Sequence, residues 1–265
     1  MDNKQLEQQM ADHLEKKVKS KVKSKIIKIV VPIVVAGVLI VGIVGIVLVS
    51  LLIGVFKNAD MDGNGKCDRD EKIIRRIISE QQKNGVALPE DLDSGAYLWE
   101  DERLVAVSWS MYGVTGKISF DGLDKLRHLD VRDGSLTEID IDENTEIQFL
   151  GVYGNQLKEL DLSKNENLVT LWCGMNPLAE LDVSGLKQLD YVDCNNCEIS
   201  RIEVDGCINL TQLYVYNNQL KDIDISDCTR LDRFWCYGNQ ITKLDLRKNE
   251  LLTAVEYDPD VEVKE

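Results

Sequence analysis

Residues 168–184, LVTLWCGMNPLAELDVS, form one copy of a pattern that returns every 21 residues along the chain. The first, fourth, sixth, eleventh, fourteenth and sixteenth positions of each copy are apolar. Looser copies at residues 104–125 and 252–265 flank six regular ones. The regular copies begin at Leu126, Ile147, Leu168, Leu189, Leu210 and Leu231. A fixed period of this length predicts short units that stack on one another and share a continuous apolar core.

Each copy divides into two halves with different local patterns. The apolar fourth and sixth positions predict a short strand that turns two side chains inward. In four copies an asparagine follows, whose amide can bond backbone groups that the turn leaves unpaired. These residues are Asn155, Asn176, Asn218 and Asn239. The remaining residues are too few for a full helix, so we expect extended or 3₁₀ segments in the second half.

The spacing L-x-x-L-x-[VC]-x-x-N-x-L is that of leucine-rich repeats. Residues 168–184 closely resemble the 21-residue repeats of bacterial surface proteins akin to internalins. The resemblance implies a leucine-rich-repeat solenoid over residues 104–265, with short parallel strands and a non-helical or 3₁₀ convex side. It also implies a Gram-positive source and a helical cap before the repeats. It says little about function, because one fold serves many functions.

Residues 29–56 contain no charged side chain. As a helix they would extend about 42 Å, enough to cross a bilayer, so we predict one transmembrane helix at residues 26–56. A cleaved secretory signal fits less well, because its apolar core would be only about 7–15 residues long. The sequence ends without an LPxTG-type sorting signal, so we expect the N-terminal helix to attach the protein to the membrane.

The distribution of charge predicts the orientation of that helix. Residues 1–28 carry eight lysines and four acids, whereas residues 29–265 carry 23 basic and 42 acidic side chains. Because basic flanks stay inside, we predict a cytoplasmic tail at residues 1–25 and a C-terminal domain outside the cell. The acidic outer part would repel nucleic acid, which excludes nucleic-acid functions.

Residues 60–71, DMDGNGKCDRDE, match the calcium-loop pattern D-x-[DN]-x-[DN]-G-x5-E. Calcium takes six to eight oxygen ligands. The predicted ligands are Asp60, Asp62, Asn64, Lys66 through its carbonyl, Asp68 and Glu71. We expect an exiting helix at residues 72–82 and a helical cap with this EF-hand-like loop at residues 57–103. A single loop predicts one weak calcium site, and a solvated acidic linker is the alternative.

Eight of the 16 aromatic side chains fall on the third, fifth and seventh positions of the units, which point out of the concave sheet. They are Phe149, Tyr153, Trp172, Tyr191, Tyr214, Tyr216, Trp235 and Tyr237. Together with Asp193 and Arg233 they form the predicted ligand-binding face. Rigid rings flanked by polar groups suit either a protein or a glycan. The alternative is cross-strand stacking that only stabilises the sheet.

Seven cysteines are present, and three of them occupy the inward sixth position. Cys207 and Cys228 share the nineteenth position of adjacent units, where either a disulfide or simple packing is possible. Acids recur at the fifteenth position, and either solvation with backbone bonding or a calcium ladder could account for them. This column consists of Asp140, Asp161, Asp182, Glu203, Asp224 and Asp245.

Two functional hypotheses follow from these patterns. The first is a membrane-anchored binding module that recognises an extracellular protein or glycan. The second is a structural spacer or scaffold of the cell envelope without a dedicated ligand. An enzyme is not expected, because His128 is the one histidine of the outer part and no serine or cysteine is placed to act with it.

Overall fold

The computed structural model describes residues 59–265. The predicted cytoplasmic tail and transmembrane helix lie outside the described residues. Within residues 59–265, no helix has both the length and the apolar character needed to cross a lipid bilayer.

The described residues form two compact units. The first unit consists of residues 59–72 and 99–104, and the second consists of residues 73–98 and 105–265. The second unit contains the six regular repeats. The predicted boundary between cap and repeats at residue 104 falls inside a strand, because the second strand spans Arg103–Ser108.

Regular structure in residues 59–265 consists of one helix and fifteen short strands. The helix is α1 (Asp68–Lys83). The strands are β1 (Tyr97–Glu100), β2 (Arg103–Ser108), β3 (Thr115–Ser119), β4 (His128–Asp130), β5 (Ser135–Asp140), β6 (Phe149–Gly151), β7 (Thr170–Trp172), β8 (Glu180–Asp182), β9 (Tyr191–Asp193), β10 (Arg201–Glu203), β11 (Gln212–Tyr214), β12 (Arg233–Trp235), β13 (Lys243–Asp245), β14 (Ala254–Glu256) and β15 (Glu262–Lys264).

Nine strands join into the main sheet in the order β1-β2-β4-β6-β7-β9-β11-β12-β14. From β4 onward the neighbours are parallel, and each residue pairs with the one a full period later. Leu129 pairs with Leu150, and Leu150 pairs with Leu171. These leucines, and the sixth-position residues Val152 and Cys173, have no exposed surface. The period of the sequence therefore sets the register of the sheet, and the predicted solenoid of short parallel strands is confirmed.

The second half of several units is extended. Short pairs form there between β3 and β5, between β8 and β10, and between β13 and β15. The units that begin at Ile147 and Leu210 have turns and bends but no strand in this half. Of the two expected conformations the extended one is present, and no 3₁₀ segment is found in residues 59–265.

The asparagines after the strands bond the backbone as predicted. Asn176 donates its side-chain amide to the carbonyls of Val152 at 2.9 Å and Cys173 at 3.0 Å. Its Oδ1 accepts the main-chain N–H of Leu157 at 3.0 Å. Each such asparagine thereby joins its own turn to the preceding unit. The same pattern holds for Asn155, Asn218 and Asn239.

A second buried column occupies the nineteenth position of the units. Asn144 donates to two main-chain carbonyls of the preceding unit, at 3.1 and 2.9 Å, and Asn165 and Asn249 repeat this arrangement. Cys207 and Cys228 are free thiols in the same column. Their sulfurs lie 3.1 and 3.7 Å from the equivalent carbonyls. The structure therefore shows packing rather than the disulfide that the sequence left open.

The segment before the repeats differs in two ways from the predicted helical cap. Helix α1 begins at Asp68, four residues earlier than expected, because the last residues of the acidic loop already form its first turn. Within the predicted cap, residues 97–100 form β1 and residue 103 begins β2. The helix ends at Lys83, one residue beyond the expected end, and Gly85 follows with a φ of 84° and an N–H that donates to the carbonyl of Gln82.

Candidate functional site

An unbroken row of rings crosses one face of the main sheet. The aromatic row consists of His128, Phe149, Trp172, Tyr191, Tyr214 and Trp235. Successive ring centroids lie between 4.3 and 6.2 Å apart. Most pairs are tilted or edge-on, which is the geometry that aromatic quadrupoles favour. The row forms because consecutive units place their third or fifth positions side by side.

Tyrosines at the seventh position widen this face. Tyr216 and Tyr237 stack at 4.9 Å with an interplanar angle of 11°, and Tyr216 also lies 6.2 Å from Trp235. Tyr153 lies over Gly174, where an added Cβ would come within 2.9 Å of its ring. Glycine is therefore required at this position for the ring to lie against the sheet.

Tyr214 is buried although its position points out of the concave sheet. It is only 8% exposed, whereas Trp172, Tyr191 and Trp235 are partly buried. The ring centroids of Tyr191 and Trp235 lie 5.5 and 4.8 Å from that of Tyr214, and its hydroxyl donates to Oε1 of Gln212 at 2.8 Å. Cross-strand stacking is thus present on this face, alongside exposed ring surface.

Both tryptophans of the row have an unsatisfied polar atom. Nε1 of Trp172 and Nε1 of Trp235 are buried, and neither has a hydrogen-bond partner within the described residues. A buried donor without an acceptor costs about 1–3 kcal/mol. An acceptor that reached either indole would recover part of this cost.

Two carboxylates lie in the same column as Trp172, at the fifth position of their units. Asp130 receives a two-pronged hydrogen bond from Arg132 at 2.8 and 2.7 Å. Asp193 pairs in register with Trp172 on one side and with Tyr214 on the other. Burial raises the pKa of Asp193, although hydrogen bonds from Asn195 act in the opposite direction.

Arg233, the remaining residue of the predicted face, is exposed. Its Nε lies 3.7 Å from the carboxylate of Asp232. It is the third residue of its unit and the first of β12, where it pairs in register with Gln212 of β11. Arg233 therefore lies at the rim of the face, while Tyr191, Asp193 and Tyr214 lie near its centre.

The acidic loop brings three of its predicted ligands together. Side-chain oxygens of Asp60, Asp62 and Asp68 lie within 4.8 Å of one another. Asp60 accepts the main-chain N–H groups of Gly63 and Gly65 at 2.6 and 2.8 Å, which curls the loop around its carboxylate. The positive φ of 86° at Gly65 explains the glycine of the motif.

The other predicted ligands border this group. Asn64 donates to Oε2 of Glu71 at 2.8 Å, and Oδ1 of Asn64 accepts the N–H of Lys66 at 2.8 Å. Glu71 lies outside the three-carboxylate group in the described residues. Burial raises the pKa of Asp62, and the charges of Asp60 and Asp68 raise it further. Clustered carboxylates that repel one another fit a divalent cation such as calcium.

The acidic column bonds its own backbone. Oδ1 of Asp161 accepts the N–H of Ser163 at 2.9 Å, and Asp182 and Asp224 do the same with the serines two residues later. These bonds lower the pKa of Asp161 and Asp224. In residues 59–265 the metal-compatible cluster lies in the acidic loop and not along this column. The geometry favours solvation with backbone bonding over a calcium ladder.

Sequence reasoning missed the contribution of three residues to the face. His128 begins the aromatic row, and Asp130 with Arg132 forms an ion pair whose guanidinium lies 4.3 Å from the ring of Trp172. The sequence signal that could have identified the ion pair was the shared fifth-position column. Asp130 and Asp193 occupy the same position of their units, and only one of them has an arginine two residues later.

A family model for two copies of leucine rich repeats matches residues 208–251. The chain therefore contains leucine-rich repeats, and the stacked parallel strands described above are the solenoid that such repeats form. A solenoid of this kind typically serves protein binding through its concave surface rather than catalysis. Comparison with curated proteins gives no match.

Solved structures from a plant and a bacterium are similar. The leucine-rich-repeat ectodomain of the membrane receptor kinase GASSHO1/SCHENGEN3 from Arabidopsis thaliana, in complex with CASPARIAN STRIP INTEGRITY FACTOR 2, is 20% identical with a TM-score of 0.56. The match covers 71% of this chain and 27% of that chain. At this identity the likeness shows the fold alone.

Two structures from Listeria monocytogenes also match. The functional domain of InlJ, which includes a cysteine ladder, is 22% identical with a TM-score of 0.44, over 62% of this chain and 48% of that chain. An internalin, inlF, is 18% identical with a TM-score of 0.40, over 75% and 71%. The chain thus spans about half of the InlJ structure and about a quarter of the plant ectodomain.

Proposed function

We propose that this chain is a membrane-anchored extracellular binding protein that recognises a protein or a glycan through the aromatic face of its main sheet. The observation that carries the proposal is the aromatic row, together with Tyr216 and Tyr237 beside it. Exposed faces of soluble sheets are usually polar, and contiguous aromatic surface is typical of recognition sites.

A protein partner has the stronger support. Stacked repeats present a long surface on which several units can contact one extended partner. The similar plant ectodomain is in complex with CASPARIAN STRIP INTEGRITY FACTOR 2, and this precedent is carried to the present chain only as a proposal. A glycan remains the alternative ligand, because flat rings also stack on sugars.

The membrane part of the proposal rests on the sequence. The uncharged run at residues 29–56 would span the bilayer, and the lysines of residues 1–28 would keep the N-terminus in the cytoplasm. The repeats would then lie outside the cell, where the ligand is.

A structural spacer or scaffold of the envelope is the second candidate. It is favoured by the ring-to-ring contacts and by the burial of Tyr214, because both stabilise the sheet without any ligand. The two candidates differ in whether the exposed rings contribute to capture of a partner.

Alanine at both Tyr216 and Tyr237 is expected to abolish most binding. The full chain, displayed on intact cells, would be screened against a glycan array and a library of extracellular proteins. For a ligand found in this way, the double variant should lower the affinity about 30-fold or more, as loss of hot-spot rings does. Binding is measured by titration of labelled ligand, and folding by circular dichroism.

The control for this experiment is Ile208→Ala, because Ile208 is 49% exposed and lies in the second half of its unit, away from the aromatic face. Its affinity should match that of the unmodified chain. Protease added to the intact cells should remove binding. Equal binding by the double variant would favour the spacer, and protease-resistant binding would contradict the outward orientation.

We also propose that the acidic loop binds one calcium ion weakly. Asp60, Asp62 and Asp68 would supply carboxylate oxygens, with Asn64, Lys66 and Glu71 completing the set. The support is the three-carboxylate group and the raised pKa of Asp62, since a bound cation would relieve the repulsion. Calcium would then stabilise the first unit, next to the predicted membrane anchor.

Calcium at about 10 mM is expected to stabilise the first unit by about 1.4 kcal/mol, if the dissociation constant is ~1 mM as in weak extracellular sites. Trp99 can report it, because Nζ of Lys66 lies 5.8 Å from the centroid of its ring. The measurement is denaturation of the full chain followed by fluorescence, with and without chelator. The fluorescence change that is absent in the Trp99→Phe variant is the one that comes from Trp99.

Glu71→Gln should remove the calcium response, whereas Glu80→Gln should keep it, because Glu80 is an exposed residue further along the same helix. A calcium response that persists in Glu71→Gln would show binding elsewhere. If 10 mM calcium does not change the stability of the unmodified chain, the calcium proposal is wrong.

A further inference from the structure

Asp193 is a partly buried carboxylate at the centre of the aromatic face. It lies at the end of β9, with Trp172 of β7 and Tyr214 of β11 directly beside it in register. Its hydrogen bonds come from the main-chain N–H of Asn195 at 3.2 Å and from the side-chain amide of the same residue. Across residues 59–265, no basic side chain lies within ion-pair distance of it. A negative charge in this position lacks a counter-charge.

The protein shows elsewhere on the same face how such a charge can be satisfied. Asp130 occupies the equivalent position three units earlier, and Arg132 follows it by two residues. Arg132 binds both oxygens of Asp130, and its guanidinium carbon lies 4.3 Å from the ring centroid of Trp172. The carboxylate and the indole together hold the planar cation.

Asp193 lacks such an arginine and lies closer to the indole, because Gly151 separates Asp130 from Trp172 across the sheet whereas Asp193 is directly beside Trp172. The residue two positions later is Asn195, which is 2% exposed and turned toward the carboxylate. Trp172 and Tyr214 provide rings on the neighbouring strands. Asp193 and Trp172 thus bring a carboxylate and an indole together, as the Asp130 site does, but no basic side chain of the described residues pairs with this carboxylate.

Charges and rings around Asp193 also favour a cation. Burial raises the pKa of Tyr191 to about 12, and the charge of Asp193 raises it too. The same charge contributes to the raised pKa of Tyr153 and of Tyr216, so all three phenols lie within its field. Neutral rings near a carboxylate add cation–π attraction for a cation that reaches their faces.

We propose that Asp193, with Trp172 and Tyr214 on either side, receives the guanidinium group of an arginine on a protein partner. The inference rests on the proposed function and specifies the chemistry of that same face. Arginine is preferred to lysine, because the Asp130 site holds a guanidinium in a planar, two-pronged contact that an ammonium group cannot reproduce. The acidic character of residues 29–265 would also draw a basic partner toward the face.

The probe for this site is the peptide acetyl-Gly-Gly-Arg-Gly-Gly-amide, added to the full chain in detergent micelles. Binding is followed by the NMR signals of the indole N–H groups, with the signal of Trp172 assigned by Trp172→Phe. The arginine peptide should shift this signal to saturation. The same peptide with citrulline, which is neutral and nearly isosteric, should not shift it, and the lysine peptide should bind several-fold more weakly.

Asp193→Asn is expected to lower the affinity for the arginine peptide at least tenfold, whereas Asp222→Asn should leave it unchanged. Asp222 is an exposed acid in the second half of its unit, so this control removes the same charge away from the face. Equal binding of the arginine and citrulline peptides, or unchanged binding by Asp193→Asn, would overturn the proposal.

The thermal midpoint of the free protein gives a second readout. The pKa of Asp193 is raised in the folded state, so the folded protein binds more protons than the unfolded chain above the ordinary aspartate pKa. Stability from this group is therefore lost as the pH rises through that range. At pH 7, Asp193→Asn should raise the midpoint or leave it unchanged. A lower midpoint with unchanged peptide binding would show that the charge is only structural.

The proposed binding face and the proposed arginine contact within it can fail separately. If Tyr216→Ala with Tyr237→Ala removes capture of a partner but the arginine peptide does not bind, the face is a binding site without the proposed arginine contact. If capture is unaffected by those alanines, the proposed function itself is wrong.

Discussion

Replacing Asn176 with alanine is expected to lower the free energy of unfolding of the repeats by about 3 kcal/mol. Asn176 is 2% exposed, and its side chain bonds three main-chain carbonyls and one main-chain N–H in the interior. Each buried group that loses its partner costs about 1–3 kcal/mol. The measurement is urea denaturation of the full chain in detergent, followed by far-ultraviolet circular dichroism.

Asn167→Ala provides the comparison. Asn167 is exposed, and its amide donates to one carbonyl, that of Thr145, at 3.0 Å. Loss of an exposed hydrogen bond of this kind should change the free energy of unfolding by less than about 0.5 kcal/mol. Equal effects of the two substitutions would contradict a structural role for the buried asparagines.

The stacking of units determines how far a loss of stability at one position extends along the solenoid. Asn176 bonds backbone groups of its own unit and of the unit before it, so its removal weakens both a unit and an interface between units. In a solenoid the total stability is approximately the sum of these two kinds of contribution. The turn that contains Asn176 follows β7, which carries Trp172. The same substitution should therefore also lower the affinity for any ligand that contacts the ring of Trp172.

The sequence predicts the repeats well because their pattern is local and repeated. A slip of one residue would expose Leu150 or Leu171, so the apolar positions allow only the observed register. The buried asparagines could be predicted for the same reason. The first turn of α1 was harder to place, because the acidic loop supplies residues to both loop and helix.

The chemistry of the aromatic face was only partly predictable. Which residues point out of the sheet follows from position, but the burial of Tyr214 depends on the size of the rings on both neighbouring strands. The contrast between Asp130 and Asp193 emerges when the units are aligned and their surroundings compared. Whether Asp193 meets a cation depends on Asn195, whose amide turns toward it in the folded chain.

The structure of the acidic loop was also predictable only in part. The motif predicts which residues gather, and Asp60, Asp62 and Asp68 do so. The motif does not predict which distant residues of the first unit the loop contacts. The N–H of Cys67 donates to the carbonyl of Glu102, and Asp70 pairs with Arg103, although these partners are more than thirty residues apart in sequence.

Arg103→Met is expected to destabilise the first unit by about 3 kcal/mol. Nε and one terminal nitrogen of Arg103 bind the carboxylate of Asp70 at 2.8 and 3.2 Å, and that carboxylate is completely buried. Removing one partner of a buried pair costs about 3–5 kcal/mol, because the other charge stays behind in the interior. The lower end applies here, since Arg69 also lies 3.1 Å from Asp70.

The amide of Leu104 reports this effect locally, because its N–H donates to Oδ2 of Asp70 at 3.1 Å. Its hydrogen exchange should accelerate about 100-fold in Arg103→Met, which corresponds to ~3 kcal/mol. Arg76→Met is the matched control, since Arg76 and Glu80 form a pair at 4.0 Å with both side chains more than half exposed. Such a pair contributes at most about 0.5 kcal/mol.

A second substitution separates the cost of a stranded charge from the loss of packing. Asp70→Asn in the Arg103→Met background removes the charge but keeps an oxygen for the N–H of Leu104, so at least half of the lost stability should return. If the double variant is as unstable as Arg103→Met, the arginine acts through its packing alone. Because the acidic loop runs directly into the helix turn that holds Asp70, the single variant should also weaken the calcium response, and the double variant should restore it.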